Sequence, residues 1–329
     1  MLTPSGVLRG KNILLTGGTA GLGTGILRAV VAHGPPSRIF LLCRSEARGQ
    51  RAAATCGAEH LVTIVLVNLA VMEEVHAAAS KLVEECARGE TPPIDLCFLN
   101  AACLASSRLA GERVITAEHL EAMFATNYCG MYLLLRLLMP TALAPRARLI
   151  ITGSDAAQMI GWRLSRDNLQ GERSVGIGGL VQYAHTKLMG VMLAAELQAR
   201  ADEEERQGGG GVDVCVCHPG AVMSELGNNV SPWLAQTIKT LLFFVFRTPG
   251  VAATLIMRPA LSTEPQRGYI SDGNLGKPTN FESRPFKGSA ADTEDCRWLW
   301  EETERILEAV LKHELPLLRG RSSEGGKTT

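Results

Sequence analysis

Lys11-Asn12-Ile13-Leu14-Leu15-Thr16-Gly17-Gly18-Thr19-Ala20-Gly21-Leu22-Gly23 decides the reading of the fold. Residues 11–16 are a short apolar run of strand length, a glycine-rich turn follows, and a helix is expected over about 22–33. Glycines let a backbone turn tightly and approach a pyrophosphate. The helix N-terminus adds free amides and the positive end of the helix dipole. By itself such a run is an ordinary loop. Placed between a first strand and a first helix, it is a dinucleotide fingerprint, with Gly17, Thr19, Gly21, Leu22 and Gly23 as contacts.

Working outward, apolar runs at 37–44, 61–69, 94–100, 148–153 and 212–218 read as further strands. Between them lie helical stretches: one capped by Ser45, one over 71–88, a long one over 117–139 ended by Pro140, and one opening at Tyr183. Apolar strands alternating with helices predict a parallel sheet covered on both faces. The fold class is therefore α/β, a Rossmann-type doubly wound sheet of about seven strands. One domain is expected over 1–318, followed by a polar, disordered tail at 319–329. Residues 203–211, Glu-Glu-Glu-Arg-Gln followed by four glycines, read as a charged and then flexible loop.

Composition narrows the partners. Hydrophobic residues are 46% and charged residues 20% of the 329, enough for a sizeable core. Lys+Arg and Asp+Glu are both 33, so no basic surplus invites nucleic acid. Nine cysteines, an odd number, include four in apolar strand-like runs: Cys43, Cys97, Cys215 and Cys217. These read as buried thiols in a reducing compartment. Cys215 and Cys217 are expected on opposite sides of a strand, and no His/Cys cluster has zinc spacing, so no metal site is expected. Residues 1–11 carry no leader pattern. The expected location is cytoplasmic, with peripheral membrane association as an alternative.

Chemistry first surfaces in Tyr183-Ala184-His185-Thr186-Lys187. Residues four apart share a helix face, so the phenol and the ammonium stand one turn apart. The ammonium favours the phenolate, which predicts a lowered tyrosine pKa and a group able to exchange a proton near neutrality. Carbonyl reduction or alcohol oxidation needs such a group, with hydride supplied from elsewhere.

The glycine turn, Asn100, Asn127, Ser154 and the Tyr183/Lys187 pair, in that order, resemble the short-chain dehydrogenase/reductase family over about residues 11–311. Asp167-Asn168-Leu169-Gln170-Gly171-Glu172, His218-Pro219-Gly220 and Gly268-Tyr269-Ile270-Ser271-Asp272 are most similar to its retinol dehydrogenase-like branch. The resemblance implies Tyr183 as general acid/base and Lys187 as the residue that lowers its pKa and holds the nicotinamide ribose. It implies Ser154 as a hydrogen-bonding partner of the substrate oxygen. It implies Asn127 as the anchor of a proton-relay water; an amide there is odd in an apolar helix and needs partners. Asn68, Asn100, Ala101, Pro219, Gly220 and Ser224 are implied cofactor contacts. The chain departs from the family's Asn-Asn-Ala-Gly by reading Asn100-Ala101-Ala102-Cys103, which adds bulk near the nicotinamide.

Arg44 ends the second strand where NAD enzymes need a carboxylate for the ribose 2′-hydroxyl. An arginine there suits a 2′-phosphate, which makes NADP(H), rather than NAD(H), the expected cofactor. Between 222 and 248, Trp233-Leu234 and Thr240-Leu241-Leu242-Phe243-Phe244-Val245-Phe246 form an apolar stretch too short to span a bilayer. A substrate lid, a homodimer patch and a membrane foot all fit it. Each suits a small lipophilic carbonyl or alcohol substrate. Two rival readings stand: a sterol or fatty-acyl ketone reductase, and a non-catalytic NADP-binding regulator.

Overall fold

Eight strands form one sheet in the order β3-β2-β1-β4-β5-β6-β7-β8. They are β1 (Asn12–Thr16), β2 (Arg38–Cys43), β3 (Val62–Leu66), β4 (Ile94–Leu99), β5 (Leu143–Thr152), β6 (Asp213–Cys217), β7 (Gly268–Ser271) and β8 (Glu282–Arg284). The computed structural model describes residues 6–105, 113–139, 141–173, 179–220, 248–271 and 282–315. Ser224, nearly all of the 222–248 segment and the 319–329 tail lie outside the described residues. β1 to β7 pair in parallel, as expected from the alternating pattern. The eighth strand was not foreseen: β8 pairs antiparallel with β7 and is only three residues long. A run that short, Glu-Ser-Arg, has no apolar alternation to announce it.

All five residues of β1 are buried, because helices cover both faces of the sheet. Ile13 and Leu15 face α1 (Gly21–Ala32) and α7 (Pro249–Leu261), where Ile26, Leu27, Ala253 and Ile256 meet them. Leu14 points to the other face, with Phe40, Cys97, Leu149 and the helices α3 (Met72–Ala87), α5 (Gly130–Leu138) and α6 (Leu180–Arg206). The last helix, α8 (Thr293–Leu311), lies across that second layer. Tyr128 Oη meets Thr303 Oγ1 at 2.9 Å, Arg136 Nε donates to Glu304 at 2.7 Å, and the Trp300 ring packs edge-on against Tyr132.

Three expectations change. Cys215 and Cys217 share one face of β6, since strand side chains repeat every second residue, and both join the α1/α7 core. The long helix starts later than residue 117. The Glu121 carboxylate accepts from Met123 N (3.0 Å) and Phe124 N (2.7 Å), capping the short helix α4 (Ala122–Phe124). Residues 125–129 then form a π-helical turn before α5. The glutamates at 203–205 are not loop but the last turn of α6. Glu and Arg are good helix formers, and Arg267 ties Asp202 and Glu205 down at 3.0 and 3.3 Å. α2 (Glu46–Thr55) begins at Ser45, whose Oγ accepts from Arg48 N at 3.4 Å, so the expected cap is present.

Candidate active site

β1 is flanked by β2 and β4, so the chain reverses its winding at β1. In doubly wound sheets the crevice opens at that switch, outside the C-terminal strand ends. A cavity of about 700 Å³ lies there. Gly17, Thr19, Gly21, Leu22, Gly23, Arg44, Asn68, Asn100, Ala101, Ser154, Tyr183, Lys187, Pro219 and Gly220 all line it. Residues spread over some two hundred positions thus converge on one crevice.

The glycine turn is tight for a definable reason. A Cβ on Gly23 would sit 2.0 Å from Gly17 O, and Gly17, at φ +68°, would put its Cβ 2.8 Å from Ala101 Cα. Neither position admits a side chain. Thr16, not singled out in the sequence, joins this turn to β4: its Oγ1 accepts from Asn100 N and Ala101 N, both at 3.0 Å. Asn100 Nδ2 donates to Thr16 O (3.4 Å) and Gly17 O (3.3 Å), and its Oδ1 accepts from Thr152 Oγ1 at 3.4 Å. Asn100 therefore knits β1, β4 and β5 at the crevice floor. On the adenine side expected for Asn68, its Oδ1 accepts from Ala70 N at 3.2 Å, so the side chain is held by its own turn.

Asn127 sits in the π-helical turn and is 4% exposed. Such turns widen a helix by one residue and recur at functional sites. Its amide finds the partners that burial demands. Nδ2 donates to Cys103 O (2.9 Å) and Thr186 Oγ1 (3.1 Å), and Oδ1 accepts from Cys103 N (2.7 Å). The unusual Cys103 is thus fastened by its backbone, while its thiol lies 3.8 Å from Ala122 O.

Tyr183 and Lys187 share a face of α6, with Nζ 5.7 Å from the Tyr183 ring centre. Lys187 is 8% exposed and donates to Thr152 O at 3.0 Å. The expected fall in the tyrosine pKa is not found in the protein alone. Burial pushes the Tyr183 phenol up to about 12, outweighing the pull of the Ser154 hydroxyl. Burial also pushes Lys187 down to about 8. Removing both groups from water costs more than their proximity returns. The phenol holds its proton at neutral pH.

Ser154 lies two residues past β5, and its Oγ accepts from Ala156 N at 3.2 Å. Asp155, next in sequence, was not foreseen. Its carboxylate lies 3.1 Å from His218 Nε2 and accepts from Tyr269 Oη at 3.0 Å. Burial raises the Asp155 pKa, but those two partners bring it below the ordinary carboxylate value. The network ties the strand end carrying Ser154 to the loop carrying Pro219 and Gly220, where Gly220 adopts φ +81°. The Ser-Asp dipeptide after a strand was the available signal. Among the described residues, no group of three or more His, Cys, Asp or Glu side chains is placed to hold a metal ion.

The Tyr183/Lys187 pair thus lines the same crevice as the glycine turn. The short chain dehydrogenase family pattern matches residues 11–165. Human dehydrogenase/reductase SDR family member 13 is 28% identical over 308 residues, covering 92% of this chain and 74% of that protein. Human retinol dehydrogenase 14 is 26% identical over 325 residues, covering 93% and 89%. Among solved structures, the Pseudomonas aeruginosa RhlG/NADP active-site complex superposes with a TM-score of 0.59 at 19% identity, covering 82% of this chain and 96% of that one. A Burkholderia cenocepacia short chain dehydrogenase in complex with NADP gives 0.55 at 20% identity, covering 78% and 93%. By these matches the chain is similar to the short-chain dehydrogenase/reductase family of oxidoreductases. Its curated relatives include retinol dehydrogenases, so within that family the resemblance is to the retinol dehydrogenase-like branch.

Proposed function

We propose that this chain is an NADP(H)-dependent oxidoreductase that interconverts a lipophilic aldehyde or ketone with its alcohol. One observation carries the reading: a single cavity has the glycine turn and Arg44 on its β1/β2 side and Ser154, Tyr183 and Lys187 on its β5/α6 side. A volume near 700 Å³ lies within the range of small-molecule and cofactor sites. Two exposed arginines, Arg44 just after β2 and Arg48 in α2, border it, which suits a phosphate-bearing group. The relatives' names and the NADP complexes of structural neighbours support the same choice.

The residues divide the work. Gly17, Thr19, Gly21, Leu22 and Gly23 would cradle the pyrophosphate. Arg44 would meet the 2′-phosphate, and Asn100, Ala101, Pro219 and Gly220 would line the path to the reacting end. The nicotinamide supplies or takes up the hydride when bound. Tyr183 gives its proton to the substrate oxygen in reduction and takes it back in oxidation. Ser154 donates a hydrogen bond to that same oxygen as charge develops. Lys187 keeps a positive charge beside the phenol, easing loss of its proton. Asn127 holds the Cys103 segment against α6. In the protein alone Tyr183 is protonated at neutral pH, the form that reduction requires.

Purified protein with NADPH, tested against retinal, steroid ketones and aliphatic aldehydes, decides the matter. Consumption of NADPH with at least one lipophilic carbonyl is expected. Tight cofactor binding without turnover across the panel would make the chain a regulator instead.

A further inference from the structure

Outside the residues that line the crevice, His76 on α3 and His313, two residues past α8, meet with their Nε2 atoms 3.2 Å apart. The rings stand edge to face, centres 4.7 Å apart, although the residues are 237 positions apart in sequence. His313 Nδ1 lies 3.0 Å from Leu311 O. A carbonyl oxygen only accepts, so Nδ1 carries the proton and the Nε2 lone pair is directed at His76. That is the arrangement by which proteins orient a metal-ligating imidazole. Two imidazole nitrogens bound ~2.0–2.1 Å from one tetrahedral ion stand about 3.3 Å apart, close to the separation here.

The backbone favours this meeting at a cost. Lys312 adopts φ +59°, a left-handed conformation that non-glycine residues seldom take, and the turn brings His313 back onto α3. Glu73, one turn earlier on α3, brings negative charge near His76.

We propose that His76 and His313 form a two-imidazole clip for a borderline divalent transition-metal ion such as Zn²⁺ or Cu²⁺, water filling the remaining positions. Imidazole pairs suit these ions rather than Mg²⁺ or Ca²⁺, with Cu²⁺ bound more tightly than Zn²⁺. The clip would join α3 to the C-terminal end of α8.

The test uses the whole chain, stripped of metal, with Zn²⁺ and Cu²⁺ added separately. Calorimetry should show a saturable site of one ion per chain, and thermal unfolding should shift upward with added ion. His76→Gln and His313→Gln should each weaken that site by at least about tenfold, since even indirect partners of a metal ligand are worth 10–100-fold. Electron paramagnetic resonance of the Cu²⁺ form should report two imidazole nitrogens, and one in either variant. Failure of saturable binding, or binding and nitrogen couplings unchanged in both variants, would overturn the clip.

Discussion

Asn127 grips the backbone of Cys103 at two points, receiving its N–H at 2.7 Å and donating to its carbonyl at 2.9 Å. The clasp fixes the loop after β4 against the π-helical turn. Asn127→Asp keeps the acceptor but turns the donor into a second acceptor facing Cys103 O. The expected cost is ~1–3 kcal/mol of stability, with a fall in kcat as the loop loosens. Thermal unfolding and steady-state kinetics on one preparation check both. A variant with wild-type stability would mean that the clasp contributes nothing.

Tyr183→Phe removes the proton donor and keeps the ring. The variant should lose ~10²–10⁴-fold in kcat and bind NADPH nearly as the parent does. Kinetics with a cofactor-fluorescence titration measure the two effects separately. Retention of more than about a tenth of kcat would remove Tyr183 from the acid/base role.

Lys187 carries a cost in the folded protein. Burial depresses its pKa from 10.5 to about 8, so below pH 8 the folded protein holds a charge it disfavours. The unfolded chain binds the extra proton between pH 8 and 10.5, and over that window this residue's penalty fades as pH rises. Lys187→Met should therefore stabilise the cofactor-free protein at pH 7 by about 1–2 kcal/mol while abolishing turnover. The stability gain should shrink toward pH 10. Denaturant melts across that range test the slope, and a Met variant less stable at pH 7 would contradict it.

Arg44 and Arg48 both border the crevice, whereas the cap of α2 rests on Ser45, so Arg44→Asp leaves the helix start intact. The substitution should remove a charge-assisted bond of ~1.5–3 kcal/mol, roughly ten- to a hundred-and-fifty-fold in affinity. NADPH use should drop and NADH use hold or rise. An unchanged ratio of kcat/KM for the two cofactors would shift the phosphate contact to Arg48.

Some of this is legible in the sequence. The glycine turn follows from strand, glycines and helix in series, and the Tyr183/Lys187 pair from helical spacing, both local signals. The Tyr183 pKa was misjudged because spacing names a neighbour and says nothing of how much water a fold removes. The Asn127–Cys103 clasp escaped because it spans 24 residues and needs a π-helical turn. Asp155 has its partners 63 and 114 residues away, beyond any periodic pattern. The end of α6 was misplaced because a glutamate run also suits a solvated loop.

The seat of α8 on α5 and α6 has a consequence for how the protein is made. Ribosomes deliver a chain from its N-terminus, at about 5–20 residues per second, and early parts begin folding before late ones exist. The glycine turn emerges near the start, and the partners that Tyr128, Tyr132 and Arg136 require emerge only with residues 300–304. The nascent chain therefore carries the glycine turn well before α5 and α6 are backed by α8. In that interval the buried aromatic face of α5 is uncovered, which makes it the natural landing place for a holding chaperone. A ribosome stalled before residue 300 would leave a product fit for such capture and unfit for chemistry.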